Sequence, residues 1–102
     1  MRIVSWNVNG LRSLGKNGFW RDVWALKPDI LCLQEIKAEA AQLPPEMREV
    51  PGYISLFNSS KLRKGYSGVA MYCKTPPLSV EYNIGTEERF DLEGRMITVI
   101  FE

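Results

Sequence analysis

The first 35 residues place one amphipathic segment between two short apolar segments, and this order constrains the fold more than any other feature of the sequence. Residues 2–6 and 30–34 are apolar over lengths typical of strands. Between them, over residues 19–27, apolar side chains recur every three or four positions, which predicts a helix capped near Asn17 and ended by Pro28. A helical crossover of this length usually makes its two strands parallel neighbours. The sequence therefore predicts a βαβ unit in an α/β fold.

Further secondary structure is predicted after residue 35 from short apolar segments separated by glycine, proline and charged residues. A short helix is expected at residues 45–50, and strands are expected at 53–58, 68–74, 79–83 and 95–101. These elements fit a mixed sheet with flanking helices in one domain, because 102 residues are too few for two. The chain stops as an apolar strand ends. We therefore expect residues 1–102 to be a single N-terminal portion of a domain whose C-terminal half is absent.

The composition excludes several kinds of catalytic site. The chain contains no histidine, so Ser-His-Asp and Cys-His mechanisms and His-ligated metal sites cannot form within it alone. Lys and Arg (13) nearly balance Asp and Glu (12), which argues against a nucleic-acid coat protein but leaves room for a local basic patch. Cys32 and Cys73 lie in apolar segments, which favours reduced thiols over a disulfide. No apolar segment approaches the ~20 residues that span a bilayer, so we expect no membrane partner.

Two polar residues stand at the ends of the predicted parallel strands. Asn7 follows the first strand and Glu35 follows the second, so both side chains should project from the carboxyl edge of the sheet, where α/β folds bind ligands. Amide and carboxylate oxygens suit Mg²⁺ or Mn²⁺ better than zinc. On spacing alone, a turn residue and a solvent-exposed strand end are the simpler interpretation of Asn7 and Glu35. A metal site is the alternative.

Basic and small residues lie close to these two positions in the sequence. Arg12 and Lys37 follow them closely, and a basic segment, residues 61–64, precedes the segment Gly65–Gly68. Glycines let backbone N–H groups approach a phosphate, and Tyr66 could pack against a sugar or insert into a groove. A solvated basic loop followed by an ordinary turn explains the same residues equally simply.

Four segments together resemble consecutive motifs of the exonuclease III family of abasic-site endonucleases, within the endonuclease/exonuclease/phosphatase superfamily. They are residues 3–12, 28–37, 65–70 and 93–97, in the order of that family. The resemblance covers essentially the whole chain and implies part of a four-layered α/β sandwich. It also implies base-excision DNA repair by Mg²⁺-dependent hydrolysis of the phosphodiester 5′ to abasic sites in duplex DNA, with 3′–5′ exonuclease and 3′-phosphatase activity as further options in a full-length protein.

The resemblance assigns roles to particular residues. It implies that Glu35 is a metal-ligating carboxylate and that Asn7 contacts the same ion directly or through Glu35, which makes both catalytic. Arg95 is expected to be structural, tying its strand to the site by hydrogen bonds. Asn9 is a departure, since some relatives carry aspartate there. The DNA-binding residues implied are Asn9, Gly10, Arg12 and Lys37 along the backbone surface, and Gly65, Tyr66 and Ser67 on a loop beside the lesion.

The second departure from the family is length. Later segments of the family supply a tyrosine, an aspartate, an asparagine and a final aspartate–histidine pair, none of which is present here. We therefore expect this chain to be inactive alone, and to self-associate or to pair with a C-terminal half. Two alternatives remain: a non-catalytic half-domain that needs a partner chain, and another phosphoesterase of the superfamily. The strand that begins at Arg2, without a basic extension, suggests a bacterial or archaeal cytoplasm.

Overall fold

The computed structural model describes residues 1–102 and contains six strands and four short helices. In chain order they are β1 (Ile3–Asn7), α1 (Arg12–Asn17), α2 (Phe19–Trp24), β2 (Ile30–Gln34), α3 (Pro45–Arg48), β3 (Ile54–Asn58), β4 (Val69–Cys73), β5 (Ser79–Glu81), α4 (Glu88–Leu92) and β6 (Thr98–Ile100). A 3₁₀ turn at Ala40–Gln42 precedes α3. None of the helices has the length and apolar character needed to cross a membrane.

The larger sheet is mixed, as the sequence predicts. Its strand order is β1-β2-β4-β3, with β1 parallel to β2 and with β4 antiparallel to both of its neighbours. The register pairs Asn7 with Gln34, so β1 and β2 end level with each other. Strands β5 and β6 form a separate antiparallel pair. The predicted βαβ unit is therefore confirmed.

Helices α1, α2 and α3 cover one face of this sheet and build the core there. Tyr72 of β4 stands at its centre, fully buried, with its ring centroid 5.6 Å from that of Trp20 and 5.4 Å from that of Trp24. Its hydroxyl donates a 2.7 Å hydrogen bond to the Met47 carbonyl, which satisfies the one polar group that the ring buries. This packing holds α2 and α3 against the sheet.

The opposite face is covered only in part. The buried Asn58 amide donates to the Tyr82 and Met96 carbonyls at 3.0 and 2.8 Å, which ties the segments flanking β5 and β6 to β3. On the same face at the other end of the sheet, Ile3 of β1 is 61% exposed. The order of layers is helices, four-stranded sheet, two-stranded sheet, which is part of the predicted four-layered sandwich.

The observed helices differ from the predicted ones in three respects. Residues 12–17 form α1, which the sequence did not indicate, and Asn17 ends that helix where a cap of α2 was expected. Gly18, with φ 77°, provides the break between α1 and α2, because glycine adopts this left-handed conformation without a Cβ clash. The predicted helix 19–27 ends at Trp24, and Lys27 has a left-handed φ of 53° before Pro28.

The C-terminal third also differs from the predictions. Helix α4 was missed; the Asp91 carboxylate accepts hydrogen bonds from the Ile84 and Gly85 N–H groups, which closes the turn before it. The strand predicted at 95–101 is reduced to β6, because the Met96 carbonyl accepts from the Asn58 side chain and not from a neighbouring strand. The strand predicted at 79–83 is likewise reduced to β5.

Candidate active site

Asn7 and Glu35 meet at the carboxyl edge of the sheet. Asn7 is the last residue of β1, one position earlier than the loop position that the sequence indicated, and Glu35 follows β2 directly. The Asn7 Nδ2 group donates a short hydrogen bond to Oε2 of Glu35. The Asn7 Oδ1 atom accepts from the Asn9 N–H at 3.1 Å. Both ends of the amide are therefore fixed, and its N–H side orients the carboxylate.

Lys37 forms an ion pair with Glu35 at this site. Its Nζ atom lies 3.8 Å from Oε1 of Glu35 and 2.5 Å from Oδ1 of Asn9. The side chains of Lys37 and Glu35 are 36% and 46% exposed, so the ion pair is solvated and the carboxylate remains accessible to a ligand. Arg12, the first residue of α1, reaches the same segment through a 3.1 Å hydrogen bond to the Lys37 carbonyl.

The backbone of this edge is unusual. Four of the five non-glycine residues with positive φ lie here, namely Asn9, Glu35, Lys37 and Ser67, at 46–54°. Each such residue typically costs about 1–3 kcal/mol, so it persists only where surrounding contacts determine it. We define the edge site as residues 7–12, 35–37 and 67–68.

Backbone hydrogen bonds supply the contacts that determine this conformation. Gly10 N–H donates to the Glu35 carbonyl at 2.8 Å, and Lys37 N–H donates to the Ser67 carbonyl at 2.9 Å. Ile36 adds two more bonds, accepting from Leu11 N–H at 2.9 Å and donating to the Gly68 carbonyl at 3.1 Å. The three loops of the edge site are thus joined through the backbone.

A second cluster surrounds Tyr66. Its hydroxyl donates to Oε2 of Glu93 and accepts from Nη2 of Arg95, both at 3.1 Å. The same Arg95 nitrogen lies 3.2 Å from Oε2 of Glu93, and the Arg63 guanidinium carbon lies 5.3 Å from the Tyr66 ring centroid. The hydrogen bond from Arg95, followed by the one from Tyr66, lowers the pKa of Glu93, while Glu93 raises the pKa of Arg95. We call Arg63, Tyr66, Glu93 and Arg95 the tyrosine cluster.

The predicted site residues divide between these two clusters. The edge site unites Asn7, Asn9, Gly10, Arg12, Glu35, Lys37 and Ser67 through hydrogen bonds. The Tyr66 side chain belongs to the tyrosine cluster. Gly65, which precedes Tyr66, joins neither cluster and has a φ of 70° with open space where a Cβ would stand. Glu93 was missed as a functional candidate, although it lies in segment 93–97, one of the four segments that resemble the exonuclease III family.

The edge site offers few metal ligands. Glu35 is the one acidic residue of the edge site, and no group of three Asp, Glu, Cys or His residues is assembled anywhere in the chain. Its donors are nevertheless hard oxygens, and magnesium usually takes only one or two protein carboxylates while keeping several waters. The residues therefore fit one protein-supplied ligand to a hard divalent cation and do not fit zinc. The largest cleft, about 700 Å³ between β3 and α4, lies apart from these residues.

Comparison with known proteins gives consistent matches over nearly the whole chain. A model described as the endonuclease/exonuclease/phosphatase family matches residues 4–98. The chain is 50% identical to a zebrafish DNA repair nuclease APEX1 over 99% of its own length and 33% of that protein. It is 42% identical to an exodeoxyribonuclease of Bacillus subtilis over 100% of its length and 39% of that protein.

The solved structures agree with the sequence matches. The catalytic domain of Xenopus laevis APE2 superimposes with a TM-score of 0.79 at 35% identity, covering 95% of this chain and 38% of that one. The chain thus spans between about a third and two fifths of the length of these three relatives.

Proposed function

We propose, from the premise that the chain belongs to the endonuclease/exonuclease/phosphatase family, that it is the N-terminal portion of a DNA-repair hydrolase. The reaction proposed is hydrolysis of the phosphodiester 5′ to abasic sites in duplex DNA, with 3′–5′ exonuclease and 3′-phosphatase activity served by the same site in a longer protein. The observation that carries this proposal is the Asn7–Glu35 pair at the carboxyl edge of β1 and β2. The names of the relatives, a DNA repair nuclease and an exodeoxyribonuclease, support it.

In this proposal Glu35 holds Mg²⁺, or Mn²⁺, through its exposed carboxylate. A bound divalent cation would polarise a phosphoryl oxygen and stabilise the negative charge that develops on it. Asn7 orients the carboxylate through its Nδ2 group, and the Lys37 Nζ atom lies beside its Oε1 atom. Because the Asn7 oxygen already accepts from Asn9 N–H, we assign Asn7 to positioning Glu35 more than to direct ligation.

The groups around Glu35 would bind the DNA backbone. Arg12 and Lys37 supply positive charge beside the carboxylate, and Asn9 and Gly10 belong to the polar loop that precedes Arg12. Gly65, Tyr66 and Ser67 would approach the strand beside the abasic sugar. Contacts of this kind set register and affinity, and they make binding fall as salt rises.

We propose further that the chain is inactive by itself, because its edge site contains no group able to activate the attacking water. A general base of that kind contributes about 10²–10⁴-fold. Strand β1 has a partner on one side only, and Ile3 on its open face and Ile100 in β6 are 61% and 51% exposed. An unpaired edge strand with apolar neighbours favours addition of another strand. The occupant proposed is a C-terminal half of the same family, with self-association as the competing outcome.

A non-catalytic half-domain that works only with a partner chain is the second candidate, and the single carboxylate of the edge site favours it. Nothing in the edge site favours a different phosphoester substrate. A cytoplasmic location in a bacterium or archaeon stays a prediction, since the matched relatives include a vertebrate protein.

The test is cleavage of a labelled duplex that carries one tetrahydrofuran abasic analogue. The chain is assayed alone and with the C-terminal part of the B. subtilis relative that it does not match, in Mg²⁺ and in EDTA. We expect incision 5′ to the analogue only in the mixture with Mg²⁺, lost in Glu35→Ala and retained in Glu49→Ala, an exposed carboxylate far from the edge site. Incision by Glu35→Ala at the wild-type rate would refute the assignment of Glu35.

A further inference from the structure

The loop that carries Tyr66, residues 59–68, is held at both ends. At the C-terminal end of the loop, the carbonyls of Ser67 and Gly68 accept backbone hydrogen bonds from Lys37 and Ile36 of the edge site. At its start, Lys61 N–H donates to the Leu92 carbonyl at 2.7 Å. Gly94 packs so closely here that a Cβ would lie 2.5 Å from the Ser59 carbonyl carbon. The loop is therefore fixed at its ends, while its tip depends on side chains.

Glu93 is the residue that organises this tip. Its carboxylate accepts a hydrogen bond from the Tyr66 hydroxyl, so the hydroxyl lone pairs are left to accept from Arg95. The Glu93 side chain is only 14% exposed, and Oε2 also accepts from Arg95. One carboxylate oxygen thus joins both groups and sets the orientation of the Tyr66 ring.

The negative charge of Glu93 makes a direct contact with DNA phosphates unfavourable. The loop and its support carry the cations Lys61, Arg63, Lys64 and Arg95, and Glu93 forms an ion pair with the last of these. A carboxylate at a surface proposed to bind phosphate lowers affinity by simple electrostatics. Its presence there therefore calls for a compensating structural role.

We propose that Glu93 is a positioning residue for DNA recognition: it holds the Tyr66 hydroxyl and the Arg95 guanidinium in one arrangement and so presents the tip of the loop to the strand beside the edge site. This inference rests on the proposed function, because it names Tyr66 as a DNA contact. Positioning and electrostatics predict opposite signs for the removal of Glu93. Electrostatics alone predicts tighter binding, whereas loss of positioning predicts weaker binding.

The first measurement is equilibrium binding of the full chain to a fluorescent duplex bearing a tetrahydrofuran analogue, by anisotropy at constant ionic strength. Glu93→Ala is expected to bind about fivefold more weakly than the wild type, since it loses a charge-assisted hydrogen bond. Glu93→Gln, which keeps an oxygen acceptor, should recover much of that loss. Glu88→Ala removes the same charge from an exposed position in α4 and should bind as tightly as the wild type or more tightly. In the Tyr66→Phe background, Glu93→Ala should have little further effect.

A second measurement decides the proposal without DNA. Incorporation of 3-fluorotyrosine gives four ¹⁹F resonances, one for each tyrosine, and Tyr66→Phe identifies that of Tyr66. We expect Glu93→Ala to shift and narrow the Tyr66 resonance and Glu93→Gln to restore it. An unmoved Tyr66 resonance, or DNA binding that tightens in Glu93→Ala as in Glu88→Ala, would overturn the role of Glu93. If the wild type binds no duplex even when mixed with the C-terminal part of the B. subtilis relative, the proposed function fails, and the ¹⁹F result alone decides whether Glu93 positions Tyr66.

Discussion

The edge site and the tyrosine cluster bring distant residues together in different ways. At the edge site, two strands that end level place Asn7 beside Glu35, and backbone hydrogen bonds from Gly10 and Lys37 lock the loops. In the tyrosine cluster, three side chains meet across a single carboxylate oxygen of Glu93. A site built by the backbone should keep its shape when one side chain is changed. A site built by side chains should depend on each of them and on their protonation.

The largest effect is expected where the tyrosine cluster rests on the backbone. Gly94→Ala would force a Cβ to within 2.5–2.7 Å of the backbone at Asn58 and Ser59, in a residue with φ 66°. We expect a loss of about 3 kcal/mol or more in the free energy of unfolding, because neither group can move aside. Urea denaturation measures this loss.

Gly85→Ala is the matched control for Gly94→Ala. Gly85 has a similar φ of 88° but no atom within 4 Å of the added Cβ, so only the backbone strain of about 1–2 kcal/mol should appear. Equal losses in the two variants would show that contact with residues 58–59 does not support the cluster.

Much of this organisation could be predicted from the sequence. The βαβ periodicity predicts that Asn7 and Glu35 share an edge, and the structure brings them together. The resemblance of the motifs to the exonuclease III family is confirmed by the family match over residues 4–98 and by the relatives. The periodicity of apolar residues and the order of the motifs can be read directly along the chain, which is why these inferences succeed.

The features that were missed depend on contacts between distant residues. Helix α1 contains Gly15, is followed directly by Gly18 and has little local helical signal, yet the burial of Leu14 in the core stabilises it. The link between Tyr66 and Glu93 spans 27 residues and joins two loops, so no periodicity could reveal it. Strand β6 is shorter than the apolar segment that predicted it, because the Met96 carbonyl accepts a hydrogen bond from the Asn58 side chain.

An intermediate effect should reveal strain at the edge site. Glu35 has a φ of 53°, which glycine adopts without the Cβ clash. Glu35→Gly is therefore expected to raise the free energy of unfolding by about 1 kcal/mol while it abolishes the proposed metal-dependent incision. Thermal and urea denaturation of the chain test the first result.

Lys27→Gly is the matched control for Glu35→Gly, since Lys27 has the same φ of 53° outside the edge site. Its gain in stability should be similar and its incision in the complemented assay unchanged. Destabilisation by Glu35→Gly would mean that the Glu35 side chain contributes more to the fold than its backbone conformation costs.

A smaller effect, confined to acid pH, should distinguish the tyrosine cluster. Because Arg95 and Tyr66 lower the pKa of Glu93 below its usual value of 4.5, the folded chain binds fewer protons than the unfolded chain in that range. The stabilisation is present above pH 4.5 and is lost as the pH falls through the folded pKa. The melting temperature of Glu93→Gln should therefore fall less steeply from pH 5 to pH 3.

Asp29 provides the control for this pH effect. The Arg2 N–H, and more weakly Lys74, lower its pKa, so it also contributes acid sensitivity. Asp29 directly precedes β2 and contacts the residue before β1, away from both clusters. Asp29→Asn should flatten the pH profile of the melting temperature while leaving the ¹⁹F resonance of Tyr66 unchanged. An identical pH profile in Glu93→Gln and wild type would argue against a charged Glu93 in the cluster.

The smallest effect on stability is expected for Lys37, although its effect on DNA binding should be clear. Its ion pair with Glu35 is solvated, with 3.8 Å between Nζ and Oε1, so Lys37→Ala should change the free energy of unfolding by less than about 0.5 kcal/mol. If Lys37 contacts a phosphate, the slope of log affinity against log salt should fall by about one. Lys74→Ala, which breaks a similarly exposed pair with Asp29 at 3.9 Å, should leave that slope unchanged. Equal salt slopes in Lys37→Ala and wild type would place the DNA backbone away from the edge site. A phosphate bound at that site would lie close to Lys37, so the loss of the lysine would change the slope.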